Sequence, residues 1–277
     1  LIVELRRRMS AGLMFNFNYV FNKALTDQYS VSSTSFRAKR SIRFPSKADR
    51  GISPYDIRHQ FKANWIYEFP FGPGRRWPAA SGWLNRVVEG WAFHGIARWQ
   101  SGRPFLLDGN RFTFNRYYTT TAAVDSGVEL VGITRRDLEN MITVRKTSSG
   151  KVYYLPPELI AADGRANSAY IRPCTTPAAF CHRIFLHGPW FSKFDFSLVK
   201  TTKITESINT EFRFEFLNAL NHPNFMVGNP DSNIINDIGE VMIDQTTFGR
   251  SLYTWRDIST TQDLGSRMIQ FVFRINF

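Results

Sequence analysis

Several stretches of the chain alternate apolar and polar residues at every position. In 10–22, Phe15, Phe17, Tyr19 and Phe21 fall on one face, and Asn16, Asn18, Val20 and Asn22 on the other. Successive β side chains point to opposite sides of a strand, so this period predicts an amphipathic strand. The same pattern predicts strands over 55–69, 89–100, 190–200, 208–218 and 267–277, and over the first residues, where Leu1, Val3 and Leu5 alternate with Ile2, Glu4 and Arg6. The last stretch sets Ile269, Phe271, Phe273, Ile275 and Phe277 against Met268, Gln270, Val272, Arg274 and Asn276. Its aromatic residues run to the end of the chain, as in a closing strand that turns its apolar face to lipid and its polar face to a lumen.

The connections sort by length. The long ones, 27–53, 107–189 and 221–266, all fall at one end of the strands. The short ones, including a turn at Arg6-Arg7-Arg8 and the segments 70–86 and 201–207, all fall at the other. Long loops outside and short turns inside are the rule for outer-membrane barrels, and a soluble sandwich has no reason to obey it. Segments of this length also match the roughly 9–11 residues a tilted membrane strand needs. The reading is therefore all-β: an antiparallel transmembrane β-barrel with long extracellular loops, of which about seven strands lie in this chain. Because lipid cannot satisfy open strand edges, residues 1–277 are expected to be the C-terminal part of a single barrel domain. Its other strands would lie upstream of Leu1, together with any export signal. The insertion 107–189 shows no strand pattern and predicts only one short helix, where Thr134 and Asp137 form a capping box ahead of Leu138.

Composition changes this picture little. Aromatic residues make up 15% of the chain, and 25 of them are Phe, as lipid-facing strands require. A net charge of +12 raises nucleic acid as a partner. The cations are scattered through turns and loops rather than gathered in a stripe, so no nucleic-acid role is expected, and anionic surface lipid or simple solvation explains the charge at least as well. The charged residues within strands, Lys62, Glu68, His94, Arg98, Asp195, Glu211, Arg213 and Glu215, are expected to face the lumen, because Arg or Lys turned to lipid costs ~2–4 kcal/mol at midplane. There they read chiefly as a solvated salt-bridge ladder, with a solute or plug contact as the sharper alternative. Cys174 and Cys181 are spaced too widely for a zinc pair, even with His182 and His187 nearby, and a loop disulfide is expected. His59 and His222 mark membrane-edge turns. No nucleophile triad, phosphate loop or dinucleotide fingerprint stands in a supporting context, so no enzyme, cofactor or metal is expected.

A set of phrases occurs in order along the chain: D-I-R-H-Q-F at 56–61, G-W-A-F-H-G-I at 90–96, Q-S-G-R-P-F at 100–105 and F-D-F-S-L-V-K at 194–200. E-F-R-F-E-F-L-N-A-L-N-H-P-N-F at 211–225, F-G-R at 248–250 and the terminal I-Q-F-V-F-R-I-N-F follow. Together they resemble the C-terminal barrel of TonB-dependent receptor-like outer-membrane proteins, the Oar-type group with an N-terminal carboxypeptidase-regulatory-like domain. The resemblance implies a barrel of about 22 strands, plugged by an upstream domain and energised by the TonB complex. It also implies uptake of an unidentified large or scarce solute. Expected partners are outer-membrane lipid, lipopolysaccharide and the outer-membrane assembly machinery, which would read Phe273, Ile275 and Phe277 as an insertion signal. An Oar-type surface or adhesion protein is the first alternative. A soluble carbohydrate-binding module displaying Trp77, Trp83, Trp91 and Trp99 is the second.

Overall fold

The structure is a computed structural model and describes residues 1–26, 51–53, 55–78, 82–109, 127–175, 181, 184–227, 239–254 and 265–277. Seven long strands form one antiparallel sheet in chain order. They are β1 (Ile2–Ser10), β2 (Leu13–Phe21), β3 (His59–Glu68), β4 (Trp91–Gln100), β5 (Phe191–Lys203), β6 (Asn209–Leu217) and β7 (Met268–Asn276). Each pairs with its sequence neighbour, so the wall is a meander with β1 and β7 at its edges.

Register carries the period of each strand across the whole wall. Phe17, Ala63, Ala97 and Phe194 lie in one row, and Tyr19, Phe61, Trp99 and Ser192 in the next. Phe212 meets Phe273 and Phe214 meets Phe271 on the same side, with ring centroids 4.5 and 5.4 Å apart. The other side carries Asn18, Lys62, Arg98 and Lys193 in one row, and His94, Ser197, Glu215 and Gln270 in another. One face is thus mainly apolar and aromatic, with Arg7 opposite Phe15 and Lys200 opposite Trp91, while the opposite face is mainly polar, with Ile66, Ile96 and Val272 among its polar side chains. Much of the apolar face is open: Phe271, Phe273 and Ile275 are 72%, 54% and 51% exposed. Gly95 sits where the Trp65 ring crosses the sheet, and a Cβ there would stand 2.0 Å from that ring.

Aromatic rings concentrate at both ends of the apolar face. Phe21, His59, Trp190, Trp99 and Phe61 form a contiguous chain at one end. Tyr67, Phe69, Phe71 and Trp77 form another at the opposite end. Beside the second group, α1 (Gly82–Val88) precedes β4. The Lys200 ammonium donates to the Arg86 and Glu89 carbonyls, satisfying backbone acceptors that a helix end leaves without partners.

The short connections depart from expectation in detail. Arg6, Arg7 and Arg8 do not turn; they belong to β1, which carries an extra residue between Arg7 and Ser10. The turn is the pair Ala11-Gly12, with φ of 51° and 77°, the left-handed pair that a two-residue hairpin demands. β5 runs on to Lys203, shortening the turn expected at 201–207.

The larger correction concerns 107–189, whose described residues fold into a lobe with its own core. Pro104–Asp108 lies between Ile184–His187, antiparallel, and Gly239–Met242, parallel, so both later loops share one small sheet. Val128–Leu130 pairs with Ile171–Pro173, and Val152–Tyr153 lies between Arg145–Lys146 and Arg250–Ser251. Phe105, Leu107, Val128, Leu138, Tyr154, Leu155, Ile171, Leu186 and Phe248 are buried together in the lobe core. Burial pushes the Tyr154 phenol well above its ordinary value, since its ionised form would be desolvated there. Within the lobe, α2 (Arg135–Met141) carries the Thr134–Asp137 capping box. The Thr134 hydrogen bonds hold the Asp137 carboxyl below its usual range.

The lobe is a continuation of the wall. Above the Gln100–Phe191 pair, Ser101 N–H donates to the His59 carbonyl and Gly188 N–H to that of Arg103. Pro104 then pairs with His187. At this bend a Cβ on Gly102 would meet the Gly188 carbonyl oxygen at 2.0 Å, so only glycine fits. Of the loop 27–53, Leu25–Thr26 pairs with Gly51–Ile52, and 27–50 lies outside the described residues.

Candidate functional site

The polar face of the wall gathers the charged strand residues named from sequence. Arg213 is central: its Nε donates to Glu211, and its Nη1 lies 3.8 Å from Glu215 Oε1. Glu215 accepts from Gln270 across the β6–β7 ladder, and His94 sits level with it. Asp195 is apart from this cluster. Its Oδ1 accepts from the Asn218 backbone at 2.7 Å and its Oδ2 lies 3.6 Å from Lys193 Nζ. Glu68, at the short-turn edge, pairs with Arg75 at 3.0 Å. Lys62, Arg98 and Lys193 lie side by side in one row, and Arg98 donates to Gln100 Oε1 at 2.9 Å. Like charges opposite one another are unfavourable in a ladder. The row is therefore a local concentration of positive charge beside the loop end.

Where the lobe meets the wall, a second constellation forms from residues far apart in sequence. Asp56 is fully buried, and its Oδ1 accepts from the Ala24 N–H at 2.7 Å. Its Oδ2 accepts from Arg58 Nη2 at 3.0 Å and lies 3.1 Å from His187 Nε2. His187 Nδ1 lies 2.7 Å from Glu139 Oε1, and the other Glu139 oxygen takes Arg135 Nη1 at 2.6 Å. The ring thus joins the β2–β3 connection, the lobe strand Ile184–His187 and α2. The histidine hydrogen bond, reinforced by Arg135, holds the Glu139 carboxyl below its ordinary range.

A depressed carboxyl contributes stability that is present above its unfolded value and lost as pH falls through the folded one. Acidification below the ordinary glutamate range is therefore expected to loosen α2 from His187. Hydrogen exchange of 135–142, corrected for intrinsic rates, should rise there, and Glu139→Gln should flatten that rise. An unchanged acid response in the variant would show that other carboxyls hold the lobe down.

A cleft of about 580 Å³ opens beside this junction. It is lined by Arg58, His59, Trp99, Trp190 and His222, by Glu139 and His187, and by Ile142 to Val144 of the lobe. His59 and His222 are thus at the wall edge and also in the cleft. The segment after β6 is shaped by its asparagines. Asn218 and Asn221 adopt φ of 47° and 50°, and Asn224 bonds both backbone groups of Ser192 as a strand neighbour would. Cys174, which is buried, and Cys181 form a disulfide in the lobe, with Cα atoms 5.6 Å apart. His182 lies outside the described residues. Among the described residues no cluster of three or more His, Cys, Asp or Glu side chains is placed to hold a metal ion.

A sequential antiparallel wall with one mainly aromatic face, two aromatic belts and its three longest connections at one end defines a membrane β-barrel. The outer membrane beta barrel domain family matches residues 1–270, and the chain belongs to that family. Neither a curated protein nor a solved structure matches the chain. The membership removes the soluble sugar-binding module as a reading of Trp77, Trp83, Trp91 and Trp99.

Proposed function

We propose that the chain is the C-terminal part of a TonB-dependent receptor barrel in the outer membrane of a Gram-negative type bacterium, taking up a large or scarce solute. The observation that carries this reading is the cored lobe raised from the loop end of the wall. A barrel that only anchors has no use for a folded, disulfide-pinned body at its mouth, whereas a receptor needs a shaped outer vestibule. The polar face, with Lys62, Arg98, Glu211, Arg213 and Glu215, is assigned to the lumen on cost, since these charges would be disfavoured toward lipid. The aromatic face is turned to the bilayer. The ordered motifs from 56–61 to the terminal strand support the TonB-dependent assignment, and no catalytic step or cofactor belongs to it.

The test is in-cell cross-linking of the full-length protein to TonB. Cross-links that strengthen on addition of a nutrient extract support uptake. Their absence, together with loss of cell attachment when 107–189 is removed, would favour the Oar-type adhesion reading, which the same lobe also serves.

Phe273 and Ile275 share the outward side of β7, and Phe277, the residue after it, is almost fully exposed. We assign them to recognition by the assembly machinery. Deleting Phe277 from the full-length protein is expected to leave unassembled barrel in the periplasm, scored by loss of the heat-modifiable band. Normal assembly would reduce these residues to lipid contacts.

A further inference from the structure

We propose that the cleft between wall and lobe holds the sugar headgroup of an outer-leaflet glycolipid, with the start of an acyl chain lying down the outward face of the wall. The proposal rests on the membrane orientation argued above. Four lining residues, His59, Trp99, Trp190 and Ser192, belong to or continue the outward rows of β3, β4 and β5. The cleft therefore opens toward lipid and not into the lumen. It lies at the loop-end aromatic belt, the depth at which headgroups sit.

Its chemistry suits a saccharide. Trp99 and Trp190 are 47% and 45% exposed, with ring centroids 4.7 Å apart. Indole surface packs on the C–H face of a sugar ring while the hydroxyls seek polar partners. Such partners are at hand in Ser101, Thr143, Ser192 and His222. Arg58 also lines the cleft, with its Nη2 held by Asp56. The volume lies inside the roughly 300–1,000 Å³ of ordinary ligand sites.

The outward face continues the fit. In the row next to Trp99, the wall carries only the methyl groups of Ala63 and Ala97 between Phe17 and Phe194. One row further, the Trp65 ring lies over Gly95 and closes this shallow depression. A headgroup in the cleft would thus place its first methylenes over two alanines flanked by phenyl rings. A free saccharide would use the cleft alone.

The experiment uses the full-length protein in nanodiscs containing purified rough-type lipopolysaccharide, with phosphatidylglycerol nanodiscs and free core oligosaccharide as comparisons. Bound lipid is measured by native mass spectrometry after detergent release. Wild-type protein is expected to retain lipopolysaccharide, while Trp190→Ala and Ala97→Phe each lower retention about tenfold, the scale of one lost aromatic or groove contact. Both variants should still shift on unboiled gels. Undiminished retention in both variants overturns the proposal, as does equal retention of phosphatidylglycerol or equal binding of the free oligosaccharide. A wild-type band that fails to shift overturns the membrane orientation, and the site with it.

Discussion

Arginine in place of Phe214 is expected to destabilise the wall by about 2–4 kcal/mol, the cost of a cation facing the bilayer interior. Phe214 lies mid-strand in β6, paired with Phe271 on the aromatic face, where their rings meet edge to face. The informative comparison is Gln270→Arg on the polar face of β7. Gln270 already donates to Glu215, so an arginine there gains a carboxylate partner and should be close to neutral. The two substitutions introduce the same side chain on neighbouring strands and differ mainly in the face they occupy. Urea titration of the heat-modifiable band in the full-length protein would measure both. Equal losses would show that neither face is lipid, and opposite ranking would invert the barrel.

Phe248→Ala should remove about 3–5 kcal/mol from the lobe, the usual cost of truncating a buried phenylalanine. Phe248 is 1% exposed and follows the strand Gly239–Met242, so it enters the core from the last long loop, 221–266. The remaining core residues come largely from 105–186. Its loss should therefore unfasten one loop from the other while leaving the seven wall strands paired. The expected signature is fast exchange and early proteolysis within 104–187, with an unaltered gel shift. Cooperative loss of both would mean that lobe and wall unfold as one unit.

The wall was legible because lipid and lumen impose different chemistry on alternate residues, as Phe15, Phe17 and Tyr19 against Asn16 and Asn18 display. The lobe was not, for a physical reason. Its strands are two to five residues long, too short to show a period, and Pro104–Asp108 is buried throughout, so Phe105, Leu106 and Leu107 run on without alternation. Only α2 announced itself, because a capping box is a local signal. Arg6-Arg7-Arg8 read as a turn from charge alone, although an exposed strand accommodates arginine readily. The junction of Asp56, Glu139 and His187 had no local signature, since its members come from three separate segments. Its one trace was Asp56 within D-I-R-H-Q-F, a polar start to an aromatic strand whose carboxylate proves fully buried.

The pairing that resumes in the lobe beyond the Gly102 bend, in line with β4 and β5, bears on the order in which the barrel assembles. Gln100 and Phe191 are hydrogen-bonded neighbours separated by roughly 90 residues, and closing a flexible loop of that length instead of a tight one costs about 3 kcal/mol in chain entropy. A lobe already folded around Phe105 and Leu186 brings Pro104 and His187 together and removes most of that penalty before the strands meet. The ornament at the mouth would then be the clasp that starts this hairpin, with zippering running from the rim toward Trp91 and Lys203.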